Sequence, residues 1–487
     1  MEKEISKSDW LFLLACLFLG IISEESFFRG IEIGISYMVF IVAFYGVFYW
    51  RYHHFSFSHQ RLGWFVLICI WLLAATYFVH NTPFFYFLNI LVIPGLVLFH
   101  IVLVTSPHQM QWNRLPFVAY LFSRLIEAIK YNGAFASSYR KNAKKGMDQS
   151  HLQILKKVII GLIISIPILA VVLTLLMSAD SKFKQLVGGF PEWFNIVNAE
   201  TITRIMIILL TTALFFGILQ VLLKKQIKII ETKPEKQFFQ LDGIIVFTIL
   251  VVMNLVYLLF TFVQFKYFFG GTLQGNFTFA QYARKGFFEL LFVSIINLSV
   301  IVAVLTFVTR GSKVFNRLTQ IMLTILVLSS AVMLCSAFLR LGMYEDAYGF
   351  TFTRILAHSF MIFLAIIFAY TLVKVWIENL SLAHFVFIIS LVYYVAINAV
   401  DLNQLVVAKN INRFEASGKV DVQYLNSLSY TGVLGLISLY EKDKTIPTLE
   451  TILQQRQEQF NREEDSWQSY NLKKQQVKKE LLKMKLN

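Results

Sequence analysis

The chain has 487 residues, 57% of them hydrophobic and 15% charged, with a mean hydropathy of +0.63, a balance that excludes an ordinary soluble domain. Lys and Arg total 44 against 29 acidic residues; in a membrane protein that surplus reads as topology and attraction to anionic headgroups, so no nucleic-acid partner is expected. Cys16, Cys69 and Cys335 lie inside apolar runs without CxxC spacing, which leaves no basis for a disulfide framework or a metal site, and no cofactor is expected.

About eleven apolar runs approach the length that crosses a bilayer as helix, and none alternates as a membrane barrel strand does. The expected fold class is therefore all-α: a polytopic transmembrane helix bundle with an interfacial amphipathic helix and a small helical C-terminal extramembrane region. The first spans fall at roughly 10 to 25, 31 to 50, 62 to 80 and 84 to 105. The run from Trp10 to Ile22 ends in Ser23-Glu24-Glu25-Ser26 without a small-residue cleavage site, so it is expected to stay in place.

After Thr105, Val118, Leu121, Phe122, Leu125, Ile126 and Ile129 share one helical face, with Arg124, Glu127 and Lys130 off it. That pattern predicts a helix lying in the interface plane. The cluster that follows, with Arg140, Lys141, Lys144 and Lys145, suits anionic lipid headgroups. Further spans are predicted at roughly 158 to 177, 202 to 223, 241 to 265, 286 to 309, 318 to 339, 355 to 377 and 381 to 400. Four regions result: N-terminal membrane helices over 1–105, a basic connection over 106–157, the main bundle over 158–400, and a polar region over 401–487. In the last region, the Gln, Glu and Lys-rich run after Pro447 carries few apolar residues and is expected to be a solvated helix or a partly disordered tail.

The connections at 106 to 157, 224 to 240 and 310 to 317 hold the dense Lys and Arg, which places them in the cytoplasm by the positive-inside rule. Counting spans from there puts the N-terminus inside and the residues after about 400 outside. The outward ends then gather the polar chemistry. Arg284 and Glu289 flank the start of one span; Arg340, Tyr344, Glu345, Asp346 and Arg354 fall between two others; His358 lies one turn after Arg354; and Asp401, Asn410 and Arg413 follow the last span. Charged groups at such depth usually pair or line a wet cavity, and Glu289 with Arg284, Arg340 or Arg354 is the network expected first. Asn254, Gln264 and Asn297, isolated in spans, are expected to hydrogen-bond between helices.

Three stretches carry a family resemblance. They are Tyr282-Ala-Arg-Lys-Gly286-Phe-Phe-Glu289-Leu, then Arg340-Leu with Tyr344 to Thr351 and Arg354, then Asn398, Asp401 and Asn410-Ile-Asn-Arg413 leading to Asp421, Tyr424-Leu425 and Leu428-Ser429. In that order they resemble the bacterial multi-pass membrane family catalogued as domain of unknown function 4173. The resemblance implies a multi-pass protein of the bacterial plasma (inner) membrane, with no settled activity.

No nucleophile elbow, phosphate loop or paired metal ligands occurs in the sequence. Three functions stay open. The first is a binding, sensory or assembly component of the cell envelope, whose partner is an envelope protein or a lipid-linked ligand. The second is an enzyme on a lipid-linked or envelope substrate, with Glu289, Glu345 or Asp346 as base and arginines on a phosphate. The third is a transporter or flippase working through a cleft at Asn254, Asn297 and His358.

Overall fold

The structure is a computed structural model and describes residues 7–144, 199–224, 241–263, 286–308, 311–377, 379–463, 466–484 and 486, with isolated positions at 161, 165, 172, 176 and 183. The described residues form helices and no strand, apart from one isolated bridge between Leu241 and Val308. The protein is a membrane-embedded helical bundle. Among the described residues nine helices are long and apolar enough to cross a bilayer: α1 (Lys7–Phe28), α3 (Gln60–Val79), α4 (Pro83–Thr105), α6 (Ala199–Lys224), α7 (Gly243–Val263), α8 (Phe287–Phe307), α9 (Lys313–Tyr348), α10 (Phe352–Trp376) and α11 (Leu382–Ala399). The expected span at 31 to 50 forms α2 (Ile35–Arg51), of 17 residues. The one predicted at 158 to 177 falls outside the continuously described residues, as do Lys145 of the basic cluster and Gln264.

The chain divides into two compact units. The first comprises Met1–Trp64, Val97–Lys228 and Ser466–Tyr470. In it α1 lies against α6 and α2, and α5 (Leu115–Lys144) lies against α6. At one end of α1 the buried Asp9 accepts from Gln220 Nε2 at 2.9 Å and pairs with Arg51 Nη2 at 3.3 Å, while the Arg51 guanidinium covers the Phe12 ring at 5.0 Å. A carboxylate taken out of water is stable only in such company.

On α5 the apolar stripe Val118, Phe122, Ile126 and Ile129 is exposed, as befits a helix facing lipid. The opposite side packs on α6, where Asn132 Nδ2 donates to the Ala213 carbonyl at 2.7 Å. Arg124, expected on the solvated side, is fully buried; it pairs with Glu127 at 2.9 Å and stacks over Tyr120 at 4.5 Å. Of the three polar residues off the apolar stripe, Arg124 and Glu127 turn toward the protein and Lys130 stays exposed.

The connection between α1 and α2 meets the short 3-10 turn Trp467–Ser469. Gly34 N–H donates to the Gln468 carbonyl at 2.9 Å and Ile35 N–H to the Tyr470 carbonyl at 3.1 Å; Gln468 Nε2 reaches Glu25 at 2.7 Å. A Cβ on Gly34 would sit 2.9 Å from the Gln468 carbonyl oxygen, so this approach needs glycine.

The second unit comprises Phe65–Leu96, Ile229–Asp465 and Asn471–Asn487. Its membrane core is built from α7, α8, α9 and α10 around Leu250, Leu290, Ile301, Leu326, Leu364 and Phe368. Thirty-six residues make α9 about 54 Å long, well beyond the roughly 30 Å hydrocarbon core. The expected connection after Leu339 is therefore mostly the final turns of this helix, and the break before α10 is only three residues, 349–351.

The C-terminal helices of this unit are α12 (Leu402–Ser417), α13 (Val422–Asn426), α14 (Ser429–Lys442), α15 (Leu449–Arg462) and α16 (Leu472–Lys483). They share a core of Val406, Leu425, Leu436, Leu453, Val477 and Leu481. Side-chain caps start three of them, from Asp401, Asp421 and Asn471. The run after Pro447, expected to be solvated or loose, is a packed part of this domain. Leu449, Ile452, Leu453 and Phe460 share one side of α15 and are buried, and Lys474 enters the core with its charge paired to Glu463 at 3.0 Å.

Candidate functional site

A cavity of about 500 Å³ opens in the second unit where membrane helices begin. Its walls are the first residues of three spans, Pro83 and Phe84 of α4, Phe287 and Phe288 of α8, and Phe352 to Arg354 of α10, together with Thr82, Tyr344 and Thr351. The helical domain supplies Asn403 from α12, Tyr424 from α13, and Ser427 and Leu428. Aromatic rings and hydroxyls dominate this lining, and Arg354 is its one charged group among the described residues.

The break between α9 and α10 determines how these groups are presented. Gly349 ends α9 with a φ of +87°, and Arg413 Nη1 would lie 2.8 Å from any Cβ placed there. Arg413 Nη2 donates to the Ala347 carbonyl at 3.0 Å, and Asn410 Nδ2 donates to the Phe350 carbonyl at 2.8 Å. Arg354 donates to the Gly349 carbonyl and lays its guanidinium over the Tyr344 ring at 4.1 Å. Phe352 N–H donates to the Tyr424 hydroxyl at 2.7 Å. Burial pushes the Tyr424 phenol upward from its ordinary value, with the Phe352 amide and Arg354 opposing, so this hydroxyl stays protonated and able to donate in its turn.

Of the residues singled out from sequence, Tyr344 and Arg354 line the cavity. Arg340 is buried, with Nη1 2.7 Å from where a Cβ on Gly286 would stand. Glu345 is buried and meets His358 Nε2 at 3.0 Å. Glu289 and Asp346 are exposed, and no ion pair among the described residues joins Glu289 to Arg340 or Arg354. Asp401 caps α12, accepts from Thr431 at 2.7 Å and faces Lys473 at 3.6 Å. Asn410 and Arg413 are spent on backbone carbonyls. Arg284 lies outside the described residues.

Phe287, Phe288, Thr351, Tyr424 and Leu428 lie in the stretches that carried the resemblance, without a role assigned there, and the lining residues that the sequence did not single out include Phe84, Thr353, Asn403 and Ser427. They come from separate segments, and an aromatic or a hydroxyl near a span end carries no positional signal by itself. Within the spans, Asn254 donates to the Met322 carbonyl at 2.9 Å and Asn297 to Ser330 Oγ at 2.9 Å; both asparagines are buried. They are interhelical hydrogen bonds, as expected.

Two outcomes follow from this arrangement. Asn410→Ala strands a part-buried carbonyl at the break, at a cost of about 1–3 kcal/mol, and Arg413→Ala, whose bond is exposed, costs about 0.5–1.5 kcal/mol, both to be read as a lowered unfolding midpoint of the purified protein. The second concerns His80, buried between α3 and α4 beside the end of α11. Burial lowers its pKa below the ordinary 6.5, with Asp401 opposing and Lys473 adding to the shift. The fold holds the neutral ring, so its contribution is complete above pH 6.5 and is lost as pH falls from there toward the lowered folded value. Thermal stability should drop as the pH is taken down through that window, and His80→Gln should remove part of the drop.

No curated protein and no solved structure matches the chain. A family model described as domain of unknown function (DUF4153) matches residues 67–439. That match corrects the resemblance to domain of unknown function 4173. All three stretches that carried the resemblance fall within the matched region, and polar residues at span ends serve as backbone partners in any such bundle, so they discriminate families poorly. The match takes in well over half of the chain, which is thus an integral membrane protein of the DUF4153 family.

Proposed function

We propose that the protein is a binding component of the bacterial cell envelope, set in the plasma membrane, whose ligand enters the cavity between the span ends and the α12–α16 domain. The observation that carries this reading is the composition of the cavity wall, mostly from the ends of spans and closed by Asn403, Tyr424, Ser427 and Leu428 of the α12–α16 domain, with no carboxylate, imidazole or thiol among its described lining. Binding needs a preformed concave site with a few polar groups on an apolar wall, and this lining has that character. A hydrolase or transferase would need a base against the cavity; Glu345 is instead turned to His358, and Glu289 and Asp346 are exposed elsewhere. A transport path through Asn254, Asn297 and His358 would need open space, and all three are occupied with neighbouring side chains or backbone.

The same reading places the α12–α16 domain outside and the basic connections inside, following the Lys and Arg distribution. On the inner face the exposed apolar stripe of α5 lies against hydrocarbon, and the charge of the run Arg140, Lys141, Lys144 and Lys145 suits anionic headgroups.

A membrane-impermeant maleimide applied to intact cells should label Glu441→Cys, on the exposed surface of α14, and reach Gln60→Cys only after permeabilisation; the opposite pattern overturns the orientation. For binding itself, the protein purified in a mild detergent should carry a stoichiometric small molecule detectable by mass spectrometry, and Ser427→Trp, which fills the cavity, should lose it. Equal retention by both proteins, or none by either, would remove the proposal.

A further inference from the structure

We infer that the occupant of the cavity is an anionic membrane lipid whose headgroup carries a phosphate and no amine. The phosphate sits on Arg354 and the first turn of α10, and the chains run along Phe84, Phe287 and Phe288. This rests on the cavity being the binding site and adds the chemistry of what fills it.

Charge comes first. Arg354 is the only ionisable side chain with a full charge in the described lining, and no carboxylate offsets it. A guanidinium has five N–H donors; the described contacts use Arg354 on the Gly349 carbonyl and, through its face, on the Tyr344 ring. Donors therefore remain for a phosphate, the group its planar fork suits best. Thr351, Thr353 and the protonated Tyr424 add hydroxyls around it, while the Ser427 hydroxyl donates to the Tyr424 carbonyl at 2.6 Å.

The helix axes act in the same direction. Three spans, α4, α8 and α10, all begin at this wall, and the N-terminal end of each carries partial positive charge; at α10 the Phe352 amide is given to Tyr424 and the Arg354 amide to the Thr351 carbonyl, which leaves the Thr353 amide for a ligand. Neither Gly286 before α8 nor Thr351 before α10 supplies a side-chain cap. A zwitterionic headgroup would bring an ammonium into this field with no carboxylate to receive it, which selects against choline and ethanolamine lipids.

The apolar wall selects a lipid over a soluble anion. Phe84 and Phe288 are 50% and 55% exposed and stand at the first turns of their spans, where the hydrocarbon begins. A free phosphate would satisfy Arg354 and leave these rings wet. A lipid satisfies both, because its headgroup and its chains are joined at the depth where the polar and aromatic walls meet.

The test uses the full-length protein in nanodiscs with Ser427→Cys as reporter and Cys335→Ala to silence the exposed native thiol. In nanodiscs of phosphatidylcholine the reporter thiol should react freely with a maleimide. Replacing part of the lipid with phosphatidylglycerol should slow the reaction by about tenfold, the size expected of a charge-assisted contact, and Arg354→Gln should abolish that protection. Inorganic phosphate alone should give none. Native mass spectrometry of the protein without the reporter should retain phosphatidylglycerol over phosphatidylcholine, and Arg354→Gln should equalise the two. Equal protection by the neutral lipid, or full protection by phosphate alone, overturns the assignment of an anionic lipid. A molecule that copurifies with the unsubstituted protein while no lipid protects the reporter thiol also overturns it, and leaves the cavity as the binding site for another ligand.

Discussion

Backbone groups near hydrocarbon must find partners within the protein, and the three-residue break between α9 and α10 puts this constraint on three carbonyls at once. Helix α9 stops at Gly349 and α10 starts at Phe352, so the carbonyls of Ala347, Gly349 and Phe350 need donors. Arg413, Arg354 and Asn410 provide them. Because Arg413 and Asn410 belong to α12, satisfying the break fixes α12 against the ends of the spans. Asn403 on the same helix, and Tyr424 and Ser427 just beyond it, thereby become the wall of a cavity. The cavity is a consequence of how the backbone is completed.

This explains why the polar residues most visible in the sequence were only partly informative about chemistry. Asp401, Asn410 and Arg413 stand out because they follow a long apolar run, and each is occupied in holding the chain together. Glu345 and His358 meet at 3.0 Å between neighbouring helices. Arg354 does two things at once: it closes the break and it faces the cavity.

The spans themselves were legible almost throughout, since run length and composition decide whether a helix can cross a bilayer. Ten of the predicted runs correspond to helices whose ends lie within a few residues of expectation, except α9, which continues past its apolar part to Tyr348. Hydropathy registers only where the apolar part ends, not where the helix does. The C-terminal domain was harder to read. Its later helices place few apolar residues per turn, such as Val477 and Leu481 on α16, and their burial depends on partners distant in sequence. The inward charge of Arg124 was missed for a related reason: sequence periodicity marks the two faces of α5 but not which of them meets lipid. The cavity was the least legible feature, since its aromatic and hydroxyl lining is assembled from separate segments at the ends of spans.

The meeting of Gly34 with Gln468 and Tyr470 has a bearing on how the protein is made. The loop between α1 and α2 is synthesised early, yet the stretch of backbone that completes its hydrogen bonds emerges 437 residues later, as the separation of Glu32 and Ser469 measures. Until then the early loop must remain solvated or be held by another factor. Maturation of the first unit therefore waits on translation of the segment that carries Gln468 to Tyr470, and two stretches made far apart in time are joined late.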